Sequence, residues 1–155
     1  MPITIRTATK MDIPAVYDLV KELTVYENEP DAVEATLEDY FQDFEAGRFE
    51  VIVADENGEV LGMMLYFRAY STWKGPMIYL DDFVVQQSQR RRGIGQLLFN
   101  RFVQIAQEQD AKVIKWQVLD WNRPAIEFYK KVGATIEKDW WNVKMLKPEI
   151  DQYQE

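Results

Sequence analysis

The chain has 155 residues, of which 47% are hydrophobic and 28% charged, and these values predict a single globular domain, residues 1–155, with a substantial core. The net charge of −8 argues against nucleic acid or an anionic membrane as the main partner and suits a cationic small molecule. Cysteine and histidine are absent, which excludes disulfides, thiolate metal sites, a covalent intermediate on cysteine and catalysis by histidine, and no metal site is expected.

The first third of the sequence predicts a strand followed by two helices. Isoleucines alternate with polar residues over 3–6, as in a half-buried strand. Asp12 is expected to cap a helix whose apolar residues recur at helical spacing over 15–23. A variant capping box, Thr36–Asp39, opens the second helix, and Gly47 ends it.

The middle of the sequence predicts three antiparallel strands. Phe49–Ala54 and Val60–Tyr70 flank the dipeptide Asn57–Gly58, which is a strong signal for a tight hairpin. A third strand, Met77–Val85, follows a turn. We therefore expect a meander of antiparallel strands in the centre of the sheet.

The last third predicts a crossover followed by shorter elements. A long helix is expected to run to about Gln109, and the β-branched and aromatic stretch Val113–Leu119 predicts a strand parallel to the one before the helix. A short helix, Pro124–Val132, is closed by Gly133. A last extended stretch is expected over Thr135–Leu146.

A turn rich in arginine and glycine lies between the third central strand and the long helix. It reads Arg90, Arg91, Arg92, Gly93, Ile94, Gly95. Glycines keep side chains away while the first N–H groups of the helix remain without partners, so an anion such as a pyrophosphate fits there. An alternative is a nucleic-acid patch, which the negative overall charge makes the weaker interpretation.

This turn, with Leu97 and Leu98 after it, resembles the acetyl-CoA-binding segment of the GNAT N-acetyltransferases. Residues 121–134 resemble that family's second cofactor-contacting segment. Residues 73–85 are similar to the spermidine/spermine (diamine) acetyltransferases and their thialysine-acetylating relatives. The resemblance implies an α/β (α+β) fold in which a mixed, mostly antiparallel sheet has a parallel strand pair splayed around the coenzyme A site and helices on both faces.

The resemblance implies acetyl-CoA as the cofactor and a set of contacts to it. The backbone of Phe83–Val85 would pair with the pantetheine arm, and Gly93 and Gly95 would receive the pyrophosphate. Asn122 would contact the cofactor arm, although a role as helix N-cap is equally open. The implied cofactor-binding residues are Phe83, Val84, Val85, Arg90, Arg91, Arg92, Gly93, Ile94, Gly95, Gln96, Asn122, Ala125 and Tyr129.

Acyl transfer to an amine requires a neutral amine and a proton for the departing thiolate. By resemblance, Tyr129 holds the position of the family's general acid. Its spacing with Ile126 and Val132 is also that of a core tyrosine. Tyr129 and Asp81 are the expected catalytic residues.

Two adjacent carboxylates, Asp81 and Asp82, are expected to point to opposite faces of their strand. Asp81, where the subfamily carries a glutamate, is the better candidate to hold or deprotonate the ammonium, while a solvated strand end is the alternative for each. Trp116 and Gln117 are expected on the strand facing the cleft, although a core role for the tryptophan is open. By resemblance, Tyr26 and Glu27 match a tyrosine and a glutamate that follow the first helix in the polyamine enzymes, although a solvated acidic loop is the alternative. The expected substrate-binding residues are Tyr26, Glu27, Asp81, Asp82, Trp116 and Gln117.

The sequence as a whole predicts an N-acetyltransferase that moves acetyl from acetyl-CoA to a primary amine of a small cationic substrate, such as a polyamine, diamine or lysine analogue, by direct attack in a ternary complex. The alternatives are acetylation of a protein N-terminus or lysine, and a coenzyme A-binding regulatory module without turnover. By resemblance a homodimer is expected, with Trp140–Tyr153 exchanged or packed. With no signal-like or membrane-spanning run, a cytoplasmic protein is expected.

Overall fold

The computed structural model describes residues 2–155, which form a five-stranded sheet and five α-helices. The strands are β1 (Thr4–Thr7), β2 (Glu50–Glu56), β3 (Glu59–Ser71), β4 (Gly75–Val85) and β5 (Val113–Lys115). The helices are α1 (Ile13–Tyr26), α2 (Leu37–Glu45), α3 (Ile94–Glu108), α4 (Arg123–Lys131) and α5 (Lys147–Asp151). The chain divides into two compact units, one that ends at Gln117 and one that comprises Val118–Glu155.

The sheet has the order β1-β2-β3-β4-β5, antiparallel from β1 to β4 and parallel between β4 and β5. The hairpin between β2 and β3 turns at Asn57 and Gly58, whose φ angles of 58° and 84° are the positive values that a tight hairpin requires. Helix α3 supplies the crossover between the parallel strands. The predicted mixed, mostly antiparallel sheet is confirmed.

Both faces of the sheet carry helices, because neighbouring strand residues are buried on opposite sides. Val51 and Val53 belong to the same apolar cluster as Val16 of α1. On the other face, the ring of Tyr66 packs against Phe102 of α3 with 5.2 Å between centroids. Strands β2 and β3 are thus apolar on both sides, as expected for a sheet that lies between two layers of helices.

An ion-pair network ties β1 to the β2–β3 hairpin and to the start of α1. Arg6 donates to both carboxylate oxygens of Asp12, at 2.7 and 2.9 Å, and to Asp55 at 2.8 and 3.0 Å. Asp55 in turn accepts the N–H of Gly58 at 2.7 Å. Asp12 stands at the N-cap of α1, but its side chain bonds Arg6 and Thr9 instead of the helix amides, so the predicted capping contact is absent.

The ends of the helices follow the predicted capping chemistry elsewhere. In the box that opens α2, Thr36 and Asp39 exchange hydrogen bonds of 2.8 and 3.1 Å between side chain and backbone. Gly47 and Gly133 adopt positive φ angles of 73° and 94° directly after α2 and α4. Their conformation lets the chain leave each helix in a Schellman motif.

Two predicted strands differ in the structure. Strand β5 ends at Lys115 instead of Leu119, and the stretch 135–146 contains no strand. A strand needs a partner, and β5 loses its neighbour where β4 diverges. Several apolar side chains of the last segment are exposed, among them Trp141 at 90% and Val143 at 93%.

No helix within residues 2–155 has the length and apolar character needed to cross a membrane.

Candidate active site

An opening in the sheet forms where β4 and β5 separate. Their pairing runs from Met77–Val113 to Tyr79–Lys115, and β4 then continues for six more residues to Val85. Beyond Tyr79 the two strands are no longer paired, and a strand edge of this kind can bind an extended ligand with amide groups as an added strand.

A β-bulge lies in β4 at the start of this opening. Leu65 of β3 faces Asp82, whereas the next residue, Tyr66, faces Leu80, so Asp81 is the extra residue. Such a bulge interrupts the alternation of side chains and re-aims them locally. The sequence-based expectation that Asp81 and Asp82 simply alternate is therefore wrong at this point.

Aromatic rings cross the opening on the α3 side. The Phe83 and Phe99 ring centroids are 6.4 Å apart, and those of Phe99 and Trp116 are 6.1 Å apart with an edge-to-face arrangement. A Cβ atom placed on Gly95 would lie 3.5 Å from the ring of Phe83. That is an ordinary van der Waals distance, so the first turn of α3 packs against the Phe83 ring of β4 with room for a Cβ atom at residue 95.

The N-terminus of α3 presents free backbone donors to the opening. Gly93 is the N-cap with φ 77°, and no side chain among the described residues caps the helix. Leu97 N–H bonds the carbonyl of Gly93 at 3.1 Å, so the N–H groups of Ile94, Gly95 and Gln96 are left without an acceptor in the helix. The Gln96 side chain instead donates to Asn100 at 2.7 Å. This geometry suits a phosphate group.

The segment 86–93 before α3, named here the cofactor loop, is anchored to the sheet and to α1. Gln86 bonds the carbonyls of Val60 and Leu61, each at 2.8 Å, and Gln87 N–H donates to Glu22 Oε1 at 2.8 Å. These contacts fix the start of the loop before any ligand binds. A shallow cavity of about 460 Å³ borders this region, lined by Glu22, Gln86, Gln87 and Ser88.

The three arginines of the loop have different surroundings. Arg92 pairs with both carboxylate oxygens of Glu56, at 2.7 and 3.1 Å, and donates to Gln89 at 2.6 Å. Arg90 stacks over the Tyr26 ring, with its guanidinium carbon 5.1 Å from the centroid. Arg91 has φ 68° and no ion pair with any residue of the described chain. Arg91 is thus the arginine whose charge is not already committed to a neighbour.

Three carboxylates, those of Glu27, Asp81 and Asp82, interact electrostatically beside the bulge. None of them is hydrogen-bonded or ion-paired to another side chain within residues 2–155. Burial, with the charges of Asp81 and Glu27, raises the pKa of Asp82 from 3.8 to about 7. Burial also raises the pKa of Glu27 and of Asp81, although Asp81 is the most exposed of the three residues.

Tyr40 of α2 borders the same cluster and was not singled out in the sequence. Burial, with the negative charges of Asp82 and Asp81, raises its pKa to about 12. Its ring meets that of Tyr17 edge to face at 4.9 Å. Nothing in the local sequence indicated that Tyr40 lies near the aspartates, because they are about forty residues apart in the chain and come together only through the packing of α2.

The second unit holds the remaining predicted site residues. Asn122 caps α4 by accepting the N–H of Ala125 at 3.4 Å, as the alternative interpretation of that residue predicted. Tyr129 is buried, and its ring lies edge to face with that of Phe128 at 5.9 Å. The helix thus places Tyr129 in a defined position within its own unit.

Two expected substrate residues follow β5, which ends one residue before them. Trp116 lies beyond the end of β5 and packs on Phe99, while Gln117 is exposed. One face of the Tyr26 ring carries Arg90, a cation of the chain itself. Glu22 was missed by sequence reasoning, although its position one helical turn before Tyr26 was a usable signal.

Comparison with known proteins agrees with this architecture. The model of the acetyltransferase (GNAT) family matches residues 13–134. The chain therefore belongs to the GNAT acetyltransferase family and is an acetyl-transferring enzyme. Its relatives within the family include acetyltransferases named for thialysine and for spermidine and spermine.

A thialysine N-epsilon-acetyltransferase of Bos taurus is 33% identical over 152 residues, covering 90% of this chain and 89% of that protein. The human spermidine/spermine N(1)-acetyltransferase-like protein 1 is 32% identical and covers 88% of this chain, but the match spans 21% of that longer protein. The crystal structure of an aminoglycoside acetyltransferase from a soil metagenomic sample superimposes with a TM-score of 0.77 at 19% identity, covering 93% and 95% of the two chains.

Proposed function

We propose that this acetyltransferase moves acetyl from acetyl-CoA to a primary amine of a small cationic substrate, of the polyamine, diamine or lysine-analogue class. The observation that carries the proposal is the group of three carboxylates beside the opening of the sheet, none of which has a cationic partner among the described residues. An ammonium supplies the missing positive charge. The names of the relatives, which act on thialysine or on spermidine and spermine, support this substrate class.

The cofactor loop and the start of α3 provide a site for the pyrophosphate of acetyl-CoA. The free N–H groups of residues 94–96 and the uncommitted guanidinium of Arg91 both favour a doubly charged anion. The edge of β4 around Phe83–Val85 then pairs with the amide groups of the pantetheine arm. Arg92 holds the loop through Glu56 and does not itself need to reach the phosphates.

The reaction requires two protons to leave the substrate ammonium, the first before attack and the second as the amide forms, and one proton to reach the sulfur. We assign the first step to Asp82, because a carboxylate with a pKa of about 7 accepts a proton efficiently at neutral pH. Asp81, the residue favoured from sequence, then holds the ammonium at the rim. The amine nitrogen attacks the thioester carbon, the C–S bond breaks, and Tyr129, in the role that the family resemblance implies, donates its proton to the departing thiolate. The second proton of the amine nitrogen, released as the amide forms, then restores the Tyr129 hydroxyl.

We also propose that residues 1–155 act as one domain and that two copies form a homodimer. The family match at 13–134 crosses the boundary between the two compact units, which supports a single functional domain. The exposed apolar side chains within Trp140–Tyr153 support a second copy as the partner that covers them. A cytoplasmic location would give the enzyme access to acetyl-CoA.

The proposed activity is tested by release of the coenzyme A thiol from acetyl-CoA with spermidine, putrescine, lysine, thialysine and short peptides as acceptors. We expect turnover of one or more small cationic amines and a reduction of kcat by about 100-fold in Tyr129→Phe. The exposed Tyr70→Phe is the matched control and should retain full activity. Turnover restricted to the peptides would favour protein acetylation, and coenzyme A binding without any turnover would favour a regulatory module.

The dimer is tested separately, by light scattering after gel filtration. A dimer mass for the wild type and a monomer mass for Trp141→Ser with Val143→Ser would support the proposed role of the C-terminal segment. A monomeric wild type at micromolar concentration would contradict it.

A further inference from the structure

The last turns of α1 carry two side chains that contact the cofactor loop. Glu22 accepts the N–H of Gln87 at 2.8 Å, and the Tyr26 ring lies against Arg90 at 5.1 Å. Glu22 and Tyr26 are four residues apart and therefore share one face of the helix. This face thus holds the loop at two points, residues 87 and 90.

The end of α1 is itself fixed by its backbone. Asn28 has φ 62°, its N–H bonds the carbonyl of Val25 at 3.1 Å, and the N–H of Glu29 bonds the carbonyl of Thr24 at 2.8 Å. This is a Schellman motif, in which asparagine replaces the usual glycine. A helix end with this geometry gives the side chains before it defined directions.

The neighbouring Glu27 has a different environment. Its charge contributes to the raised pKa of Asp82, which places it on the acidic cluster. Tyr26, by contrast, already carries a guanidinium on a ring face, and a second cation on that face would be repelled by the first. Tyr26 therefore faces the cofactor loop, and the adjacent Glu27 faces the acidic residues Asp81 and Asp82.

We propose that Tyr26 and Glu22 are positioning residues for the cofactor, acting through Arg90 and the cofactor loop. This inference rests on the proposed function, and it gives Tyr26 a role different from the amine recognition that its resemblance to the polyamine enzymes implies. Glu22 and Tyr26 hold the loop in a geometry that receives the pyrophosphate, so less ordering remains to occur when the cofactor binds.

The test is the affinity for coenzyme A alone, measured by calorimetry, which does not depend on identifying the amine. We expect Tyr26→Leu to bind coenzyme A about three- to fivefold more weakly, and Tyr26→Phe, which keeps the ring that faces Arg90, to bind more tightly than Tyr26→Leu. Glu22→Ala should weaken binding about two- to fivefold, and Glu22→Gln, which keeps an acceptor oxygen, should weaken it less. Thermal unfolding confirms that each variant is folded.

A double-variant cycle distinguishes action through Arg90 from a general structural effect. In an Arg90→Met background, Tyr26→Leu should cause no further loss of affinity. In steady-state kinetics with any active amine, Tyr26→Leu should raise KM for acetyl-CoA alone, and Glu27→Gln should raise KM for the amine alone. Wild-type affinity of Tyr26→Leu for coenzyme A, or an equal loss with and without Arg90, would overturn the inference even if the proposed reaction is confirmed.

Discussion

The unusual proton affinity of Asp82 has a measurable cost in stability. Its carboxyl has a pKa of about 7 in the folded protein against an ordinary value of 3.8, so the folded state binds this proton about a thousandfold more tightly than the unfolded chain. That ratio corresponds to about 4 kcal/mol. Because the pKa of Asp82 is higher in the folded state, its protonation contributes to the free energy of unfolding. This contribution is fully present below pH 3.8 and is lost as the pH rises through 7.

Replacement of Asp82 by asparagine should remove this loss. Between pH 5 and pH 8 we expect the free energy of unfolding of Asp82→Asn to rise relative to that of the wild type by about 2 to 3 kcal/mol, while activity falls. Urea denaturation at the two pH values measures the difference as a relative shift of the midpoint by about 1 M.

The exposed Asp31→Asn serves as the charge-matched control in this experiment. The variant Asp81→Asn tests whether the charge of Asp81 contributes to the raised pKa of Asp82. Without the charge of Asp81 the pKa of Asp82 in the folded protein should fall, so the loss of stability between pH 5 and pH 8 should be smaller and complete at a lower pH. The reasoning is refuted if the stability difference between wild type and Asp82→Asn is the same at pH 5 and pH 8.

Two further predictions concern the scaffold. Arg6→Met should lower the free energy of unfolding by about 3 kcal/mol, because it leaves the buried Asp12 without its partner. The hydrogen bonds from Arg6 lower the pKa of Asp12 and of Asp55. In the wild type the stabilisation by these ion pairs is therefore present above about pH 4 and is lost as the pH falls through the lowered pKa values. Urea unfolding from pH 2 to pH 6 should show a shallower loss of stability with falling pH in Arg6→Met than in the wild type. Gly62→Ala should cost about 1 to 3 kcal/mol, since its Cβ would lie 3.0 Å from the carbonyl oxygen of Val84. It should cost more than Gly95→Ala, whose Cβ would meet the Phe83 ring at an ordinary 3.5 Å, and similar costs for both glycines would contradict the close approach of β3 and β4.

Features set by neighbours in the chain were predictable from the sequence. The capping box at Thr36–Asp39, the hairpin at Asn57–Gly58 and the helix end at Gly133 each depend on a few consecutive residues, and the structure confirms all three. The crossover helix between parallel strands follows from the order of the elements, and it too is confirmed.

Features set by distant partners were not predictable in this way. The bulge at Asp81 is defined by its register with β3, and the short β5 by the divergence of β4. The partner of Arg92 is Glu56, thirty-six residues away, so the sequence alone could not separate a loop anchor from a phosphate ligand. The same holds for the high pKa of Asp82, which depends on burial and on Glu27 from another element.

The separation of β4 from β5 also creates an edge strand in the middle of a sheet. Such an edge is a template that can be extended by any strand of another chain, and proteins generally protect it. Here the protection would come from the ligand, since an extended arm with amide groups can occupy the position of the missing strand. Cofactor binding would then guard the molecule against self-association as well as prepare it for chemistry.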